Sequence, residues 1–266
     1  MGGDRATTAR DDVLSLAERL GDAVLDLLLP RHCAACGASI ERGRMDVVCG
    51  RCWAALALLP HPQCARCGHP VVVRDLPAPY DPGPRRCRWC DLLPPYVRAV
   101  RSVCWAPEHP GGAVVHALKY DGWTAVAEGM ARRMARLTLP PDVVRECAAL
   151  VPVPLADARL RERGYNQSAL LADALAACWQ RPVWPDALRR VRATVSQTRL
   201  TPGERLRNVA RAFRVDAARH PGLRGAHVVL VDDVVTTAAT LNACAAALIE
   251  GGARIVSYVT FGRARS

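Results

Sequence analysis

Residues 228–240 read VVLVDDVVTTAAT, and this stretch decides the fold class. The four apolar residues 228–231 are typical of a strand that is buried on both faces, and we predict a strand over 227–231. Two carboxylates, Asp232 and Asp233, follow at its carboxyl end, and a turn rich in Thr and Ala leads into a helix predicted at about 240–250. Ligands of open α/β sheets bind beyond the carboxyl ends of the strands, so the candidate site is placed here.

The turn after the acid pair has the chemistry of a phosphate site. A chain that enters a helix offers unpaired backbone N–H groups and a favourable dipole to an anion, and threonine hydroxyls add donors. We therefore interpret the two acids as ligands for a ribose diol and the turn as the cradle of its 5′-phosphate; the turn residues are Thr236, Thr237, Ala238, Ala239 and Thr240. The alternative interpretation of Asp232 and Asp233 is an acidic N-cap of the helix.

The rest of the C-terminal part alternates between strand and helix patterns. Strands are predicted over 97–106, 148–154 and 254–261, with one or two helices over 110–137 and a further helix that ends near Cys178. Such alternation predicts an α/β domain with a mostly parallel sheet and flanking helices. Residues 189–214 form a stretch that is basic and poor in apolar residues.

The cysteines form a second pattern. Eight of the twelve make four C-x-x-C pairs: Cys33/Cys36, Cys49/Cys52, Cys64/Cys67 and Cys87/Cys90. Two such pairs complete a closed tetrahedral Cys₄ site, so the spacing predicts one or two structural zinc ions. Sequential and interleaved pairing both remain open, and thiols packed as small hydrophobes or acting as redox dithiols are the alternatives. Cys178 and Cys244 lie in apolar helical patterns and are predicted to be core residues.

The composition limits the remaining possibilities. No apolar run reaches the roughly 18 residues of a membrane span, and no secretion signal is recognised, so a cytoplasmic protein is expected. The formal net charge is +11, Lys119 is the only lysine, and attraction to polyanions is predicted. We predict an amphipathic helix within residues 1–30, a zinc-ribbon module over 31–92 and the α/β domain over 97–266.

Residues 228–240 resemble the phosphoribosyl pyrophosphate (PRPP) motif of type I phosphoribosyltransferases. With the four cysteine pairs and the segments 118–122 (LKYDG), 150–168 (LVPVPLADARLRERGYNQS) and 197–209 (QTRLTPGERLRNV), the chain resembles the ComF family over about residues 25–262. The resemblance implies a phosphoribosyltransferase-like sheet behind a zinc ribbon, with PRPP and Mg²⁺ at the site. It also implies that the loop at 154–159 is the candidate pyrophosphate site. The arginine-rich stretch 189–214 is interpreted either as a segment that closes over pyrophosphate or as a solvated loop. The family usually has glycine where this chain has Ala238, and alanine is expected to lower activity there if its backbone φ is positive.

The resemblance also implies roles for individual residues. Asp232, Asp233 and Arg205 are the expected catalytic residues. The expected PRPP-binding residues, besides the acid pair and the turn, are Arg161, Arg163, Asn166, Gln167 and Asn208. The resemblance implies one of two functions. The first is transfer of phosphoribosyl to an unidentified acceptor in a role linked to DNA uptake, and the second is that of a catalytically weak or inactive protein that binds single-stranded DNA or competence proteins.

Overall fold

The computed structural model describes residues 31–40, 46–71, 87–191, 212–216 and 218–265. The helix predicted within residues 1–30 lies outside this part of the chain. In the cysteine-rich segment, β1 (Arg31–His32) pairs antiparallel with β2 (Ser39–Ile40), and helix α1 spans Gly50–Ala54. A 3₁₀ turn, Arg88–Leu92, ends the segment. These elements are short, which is typical of a segment held by bound metal rather than by its own core.

A four-stranded parallel sheet forms the α/β part. Its strands are β3 (Val97–Trp105), β4 (Cys147–Pro152), β7 (His227–Val235) and β8 (Ile255–Arg263), in the order β3-β8-β7-β4. Between β4 and β7 along the chain, β5 (Leu188–Arg190) and β6 (Phe213–Val215) pair as a separate antiparallel ribbon. The sheet confirms the predicted fold class. Pro152 is tolerated because it is the last residue of β4, at the end of the sheet order.

Six helices accompany these strands in the described α/β part. They are α2 (Gly111–Tyr120), α3 (Val126–Met134), α4 (Pro141–Glu146), α5 (Asp157–Arg163), α6 (Gln167–Trp179) and α7 (Ala239–Glu250). Val229 and Val231 of β7 belong to one apolar cluster with α2, α3 and α6, whereas Val228 and Leu230 belong to a second with α7. Helices therefore cover both faces of β7, as its continuous apolar run predicts.

Two sequence predictions need correction. Strand β7 does not end at residue 231 but continues to Val235, because β8 runs beside it and pairs Asp232 with Thr260 and Val235 with Arg263. The acid pair therefore lies inside the strand rather than after it. Cys178 is exposed, not core, because no residue of α6 beyond Leu175 is buried. Cys244 is fully buried, as predicted.

Candidate functional site

The eight paired cysteines form two tetrads, in sequential order. Cys33, Cys36, Cys49 and Cys52 make one and Cys64, Cys67, Cys87 and Cys90 the other, each with its sulfurs within 4.8 Å of one another. The Sγ–Sγ distances are 3.9 Å (Cys33–Cys52) and 3.8 Å (Cys36–Cys49) in the first, and 3.5 Å (Cys64–Cys90) and 3.7 Å (Cys67–Cys87) in the second. Tetrahedral zinc with Zn–S bonds of about 2.3 Å separates its sulfurs by about 3.8 Å, so both tetrads fit structural zinc.

Local backbone geometry shapes the tetrads. The backbone N–H of Cys49 donates to Cys33 Sγ at 3.2 Å, and that of Cys52 donates to Cys49 Sγ at 3.4 Å. Gly68 follows a ligand cysteine with φ +67°, and a Cβ there would lie 2.3 Å from the carbonyl oxygen of Val100. Only glycine allows the second metal loop to approach strand β3 this closely.

Three arginines fasten the second tetrad to the sheet. Arg66 donates to four carbonyl oxygens, those of Cys90, Leu93, Pro94 and Val97. Arg101 of β3 donates from Nη2 to the carbonyl of Ala65, and Arg263 at the end of β8 donates from Nη2 to that of Cys67. A zinc ion with four thiolates carries a net charge of −2, so guanidinium groups packed around the loop also balance its charge.

The two carboxylates of the acid pair lie in different surroundings. Asp233 is 3% exposed, and Lys119 at the end of α2 places its Nζ 2.8 Å from Asp233 Oδ2. Asp232 is half-buried; its Oδ1 accepts from Ser168 Oγ at 2.7 Å and from the backbone N–H of Asp233 at 2.9 Å. Residues from α2, the start of α6 and β7 therefore meet at one place, and Lys119 and Ser168 join the site although neither was predicted to belong to it.

The two carboxylates also differ in electrostatics. Burial and the neighbouring charge of Asp233 raise the pKa of Asp232 to about 7, against an ordinary value of 3.8. Burial lowers the pKa of Lys119, but the contact with Asp233 and the charge of Asp232 outweigh it, so the pKa is raised and the ammonium stays protonated. Lys119 therefore neutralises Asp233, and Asp232 is left as the acid with a proton to exchange near neutral pH.

The turn after β7 departs from ordinary backbone geometry. Ala238 has φ +57° and ψ +8°, the left-handed conformation, directly before the first residue of α7. The condition under which alanine is unfavourable in place of glycine is therefore met. Of the predicted phosphate-binding residues, Thr236 is exposed, Thr237 and Thr240 are half-buried, and Ala239 is buried. Each of these residues lies in or beside the turn that enters α7.

The segment after β4 supplies the other predicted residues. Asn166 caps α6: its Oδ1 accepts from the Ser168 N–H at 3.0 Å, and its Nδ2 donates to the Val153 carbonyl at 3.1 Å. Arg163 Nη1 donates to Gln167 Oε1 at 2.5 Å, and Gln167 is buried. These contacts position Ser168 against Asp232 and give Asn166 and Gln167 structural partners. Arg161 lies exposed on α5, in a helix with no buried residue.

Two predicted residues, Arg205 and Asn208, lie outside the described residues. The ribbon of β5 and β6 that flanks their segment carries Arg189, Arg190 and Arg214. Among the residues that the structure describes, no helix is long and apolar enough to cross a membrane.

Comparisons with known proteins agree with this architecture. Residues 24–91 match the double zinc ribbon domain and residues 186–266 match the phosphoribosyl transferase domain. The chain is 32% identical over 244 residues to the DNA utilization protein YhgH of Escherichia coli K12, a match that covers 86% of this chain and 96% of the relative. The chain belongs to the ComF family.

Other ComF relatives match over shorter stretches. Competence protein F of Haemophilus influenzae is 37% identical over 114 residues, 42% of this chain and 45% of the relative. Competence protein ComFC of Bacillus subtilis is 34% identical over 117 residues, 44% of each chain. The resemblance inferred from the sequence is thereby confirmed at the level of the family and of its two domain types.

Proposed function

We propose that this ComF protein binds PRPP with Mg²⁺ at the acid pair and transfers the phosphoribosyl group to an acceptor. The observation that carries the proposal is the position of Asp232 and Asp233 on β7, three to four residues before the turn that enters α7. A pair of carboxylates suited to a diol thus lies a few residues before a helix N-terminus suited to a phosphate. The two features match the hydroxyl end and the phosphate end of a ribose 5-phosphate unit.

The parts of the site have separate roles in the proposal. Asp232 and Asp233 would hold the ribose hydroxyls, with Lys119 keeping Asp233 neutralised and in place. The backbone of the turn would bind the 5′-phosphate, and α5 with Arg161 and Arg163 would face pyrophosphate. Carboxylate and phosphate oxygens are ligands that Mg²⁺ prefers, and the bound ion would supply positive charge to the leaving pyrophosphate.

The catalytic contribution of the chain is mainly positioning and charge. The raised pKa of Asp232 means that it is partly protonated near pH 7, and positive charge that develops on the ribose would favour its ionised form. The carboxylate then stabilises the transition state more than the ground state, which is the condition for a rate effect. Arg205 and Asn208 are proposed to close on pyrophosphate, in line with the family resemblance.

Calorimetry with PRPP and Mg²⁺ on zinc-loaded protein tests the proposal. Saturable heat with one site is expected, together with pyrophosphate release when a panel of acceptors is supplied. Asp232→Asn keeps the side-chain size and is expected to lose PRPP binding. An unchanged affinity in that variant contradicts the proposed site.

A second candidate function is DNA binding without turnover in competence. The net charge of +11 and the names of the relatives, DNA utilization protein and competence protein, favour it. The left-handed conformation of Ala238 favours weak catalysis. Binding to single-stranded DNA that falls steeply with salt and is unchanged in Asp232→Asn supports this alternative.

The eight cysteines grouped as metal ligands indicate a reducing compartment, and we propose the cytoplasm.

A further inference from the structure

A groove of about 680 Å³ lies where the cysteine-rich segment meets the sheet, on the side of edge strand β3. Helix α1 and residues 56–63 line one side of it, and β3 with the residues at the end of α3 lines the other. The two sides are joined where the N–H of Leu59 donates to the carbonyl of Val103 at 3.3 Å. We call this surface the α1/β3 groove.

The walls of the α1/β3 groove are apolar and incompletely covered. Trp53 and Leu59 in these walls are buried, whereas Leu58 is 61% exposed and Leu137 is half-buried. A single exposed leucine is common on protein surfaces, but one that borders an apolar groove extends a continuous apolar surface. Such a surface, bordered by polar residues, marks a place where another segment or molecule docks.

The border of the groove is positively charged. Arg133 and Arg136 lie along it, and the described residues that line the groove include no Asp or Glu. The guanidinium carbon of Arg133 lies 3.5 Å from the centre of the Trp53 ring, so one cation is fixed against the apolar wall. Burial lowers the pKa of Arg133 to about 10, and the side chain stays protonated at neutral pH. The groove therefore suits an occupant with an apolar face and acidic residues.

The chain contains a segment of this character, residues 11–29, outside the part that the structure describes. The sequence predicts an amphipathic helix there, with one apolar side chain every three or four residues along one face: Val13, Leu16, Leu20, Val24 and Leu27. Five of its residues are acidic and one is an arginine: Asp11, Asp12, Glu18, Asp22, Asp26 and Arg19. Amphipathic helices bind apolar grooves through anchors at this spacing.

The first described residues bring this segment close to the groove. Cys33 Sγ lies 3.9 Å from Cys52 Sγ, and Cys52 is the neighbour of Trp53 in the groove wall. Residue 30 is three residues before Cys33, a distance of at most about 11 Å along an extended chain. The match to the double zinc ribbon domain begins at residue 24, so the end of the segment belongs to the same domain as α1.

We propose that residues 11–29 form a helix that docks its apolar face in the α1/β3 groove. Docked there, the helix contacts both the zinc-binding segment and the edge of the sheet, and it fastens one to the other. Its acidic residues complement Arg133 and Arg136. The proposal does not depend on PRPP binding. A second copy of the chain and an unrelated ligand are the other occupants that the experiments distinguish.

Zero-length crosslinking of the zinc-loaded full-length protein tests the position of the segment. A carbodiimide joins an amine to a carboxylate, and the only lysine of the chain, Lys119, already lies against Asp233. Arg136→Lys therefore places a new amine at the groove, and Arg145→Lys, at a side chain that is 71% exposed on α4, is the matched control. Crosslinks to the acids of residues 11–26 are expected to be at least about 10-fold more abundant from position 136 than from position 145, because docking raises the effective concentration.

Hydrogen exchange tests the apolar part of the contact. The stability of an amphipathic helix comes mainly from the packing of its apolar face, so the amides of residues 13–28 are expected to exchange at least about 10-fold faster in Leu58→Asp than in the original protein. Val144→Asp, a change at a side chain that is 54% exposed on α4, is the control and should leave their exchange unchanged. Zinc content, measured in each variant, checks that the tetrads are intact.

Three results would overturn the proposal. The first is fast exchange of residues 13–28 in the original protein, or slow exchange that persists in Leu58→Asp. The second is the lack of a crosslink between position 136 and residues 11–26, which would leave the groove to another ligand. The third is a crosslink that joins two chains when isotope-labelled and unlabelled proteins are mixed, which would assign the groove to a second copy.

Discussion

Neutralising the two acids of the pair one at a time is expected to change the stability of the protein in opposite directions. Asp232→Asn and Asp233→Asn are adjacent changes of identical chemistry. The amide of the first keeps an acceptor for Ser168 Oγ and removes a carboxylate that is half-buried beside Asp233. The amide of the second leaves the Lys119 ammonium without its charge partner in a site that is 22% exposed on the lysine side. Only the second change removes the carboxylate that the Lys119 ammonium contacts directly.

The magnitudes follow from these contacts. A folded-state pKa of about 7 against an ordinary 3.8 corresponds to about 4 kcal/mol that ionised Asp232 takes from stability. Solvent screening at a half-buried side chain reduces this, and we expect Asp232→Asn to raise the free energy of unfolding by about 2 kcal/mol above neutral pH. Removal of one partner from a buried ion pair costs about 3 kcal/mol, so Asp233→Asn is expected to lower it by about that amount.

The pH dependence of stability independently checks the direction of the effect expected for Asp232→Asn. The pKa of Asp232 is higher in the folded than in the unfolded state, so its contribution is fully favourable below the ordinary carboxyl pKa and is lost as the pH rises to about 7. The advantage of Asp232→Asn should therefore be larger at about pH 8 than at about pH 6. Urea unfolding of the zinc-loaded proteins, followed by tryptophan fluorescence, measures it. A destabilised Asp232→Asn, or equal shifts in both variants, refutes the assignment of the two environments.

Three further predictions concern the turn, the second metal site and ligand binding. Ala238→Gly should be more stable than Ala239→Gly by about 2 kcal/mol in urea unfolding. Both variants lose one buried methyl group, but glycine removes the strain of a left-handed residue at 238 and weakens the helix at 239; equal stabilities would contradict the strained turn. Arg66→Lys should lower the free energy of unfolding by about 2 kcal/mol and speed the loss of zinc to a chelator, because a lysine cannot donate to all four carbonyl oxygens. The exposed control Arg51→Lys should change neither quantity, and equal rates of zinc loss in the two variants would refute the role of Arg66. The affinity for PRPP with Mg²⁺, measured by calorimetry, should rise with pH through about 7, since protons compete with cations for Asp232; a flat profile would contradict it.

Local patterns in the sequence were enough to predict most of the fold. The apolar run at 228–231 and the alternating strand and helix patterns around it are properties of residues close together in the chain. They were sufficient to predict the parallel sheet. The C-x-x-C spacing likewise predicted two cysteine pairs for each metal site, although the choice between sequential and interleaved pairing needed the positions of the sulfurs.

The remainder depends on contacts between distant residues. Lys119 meets Asp233 and Ser168 meets Asp232 only after α2 and α6 pack against β7, and no local pattern marks these pairs. The extension of β7 follows from its pairing with β8. The left-handed conformation of Ala238 could not be predicted from the sequence, because alanine ordinarily avoids that conformation. A signal for Lys119 existed in its being the only lysine of the chain, but composition alone does not assign a partner.

The binding of PRPP to the acid pair is the central claim, and one titration tests it most directly. PRPP is titrated with Mg²⁺ into the zinc-loaded protein and, in parallel, into Asp232→Asn, a variant expected to be folded and more stable than the original. Saturable one-site heat is expected from the original protein and none from Asp232→Asn. No heat from the original protein, or the same affinity in both, would contradict it.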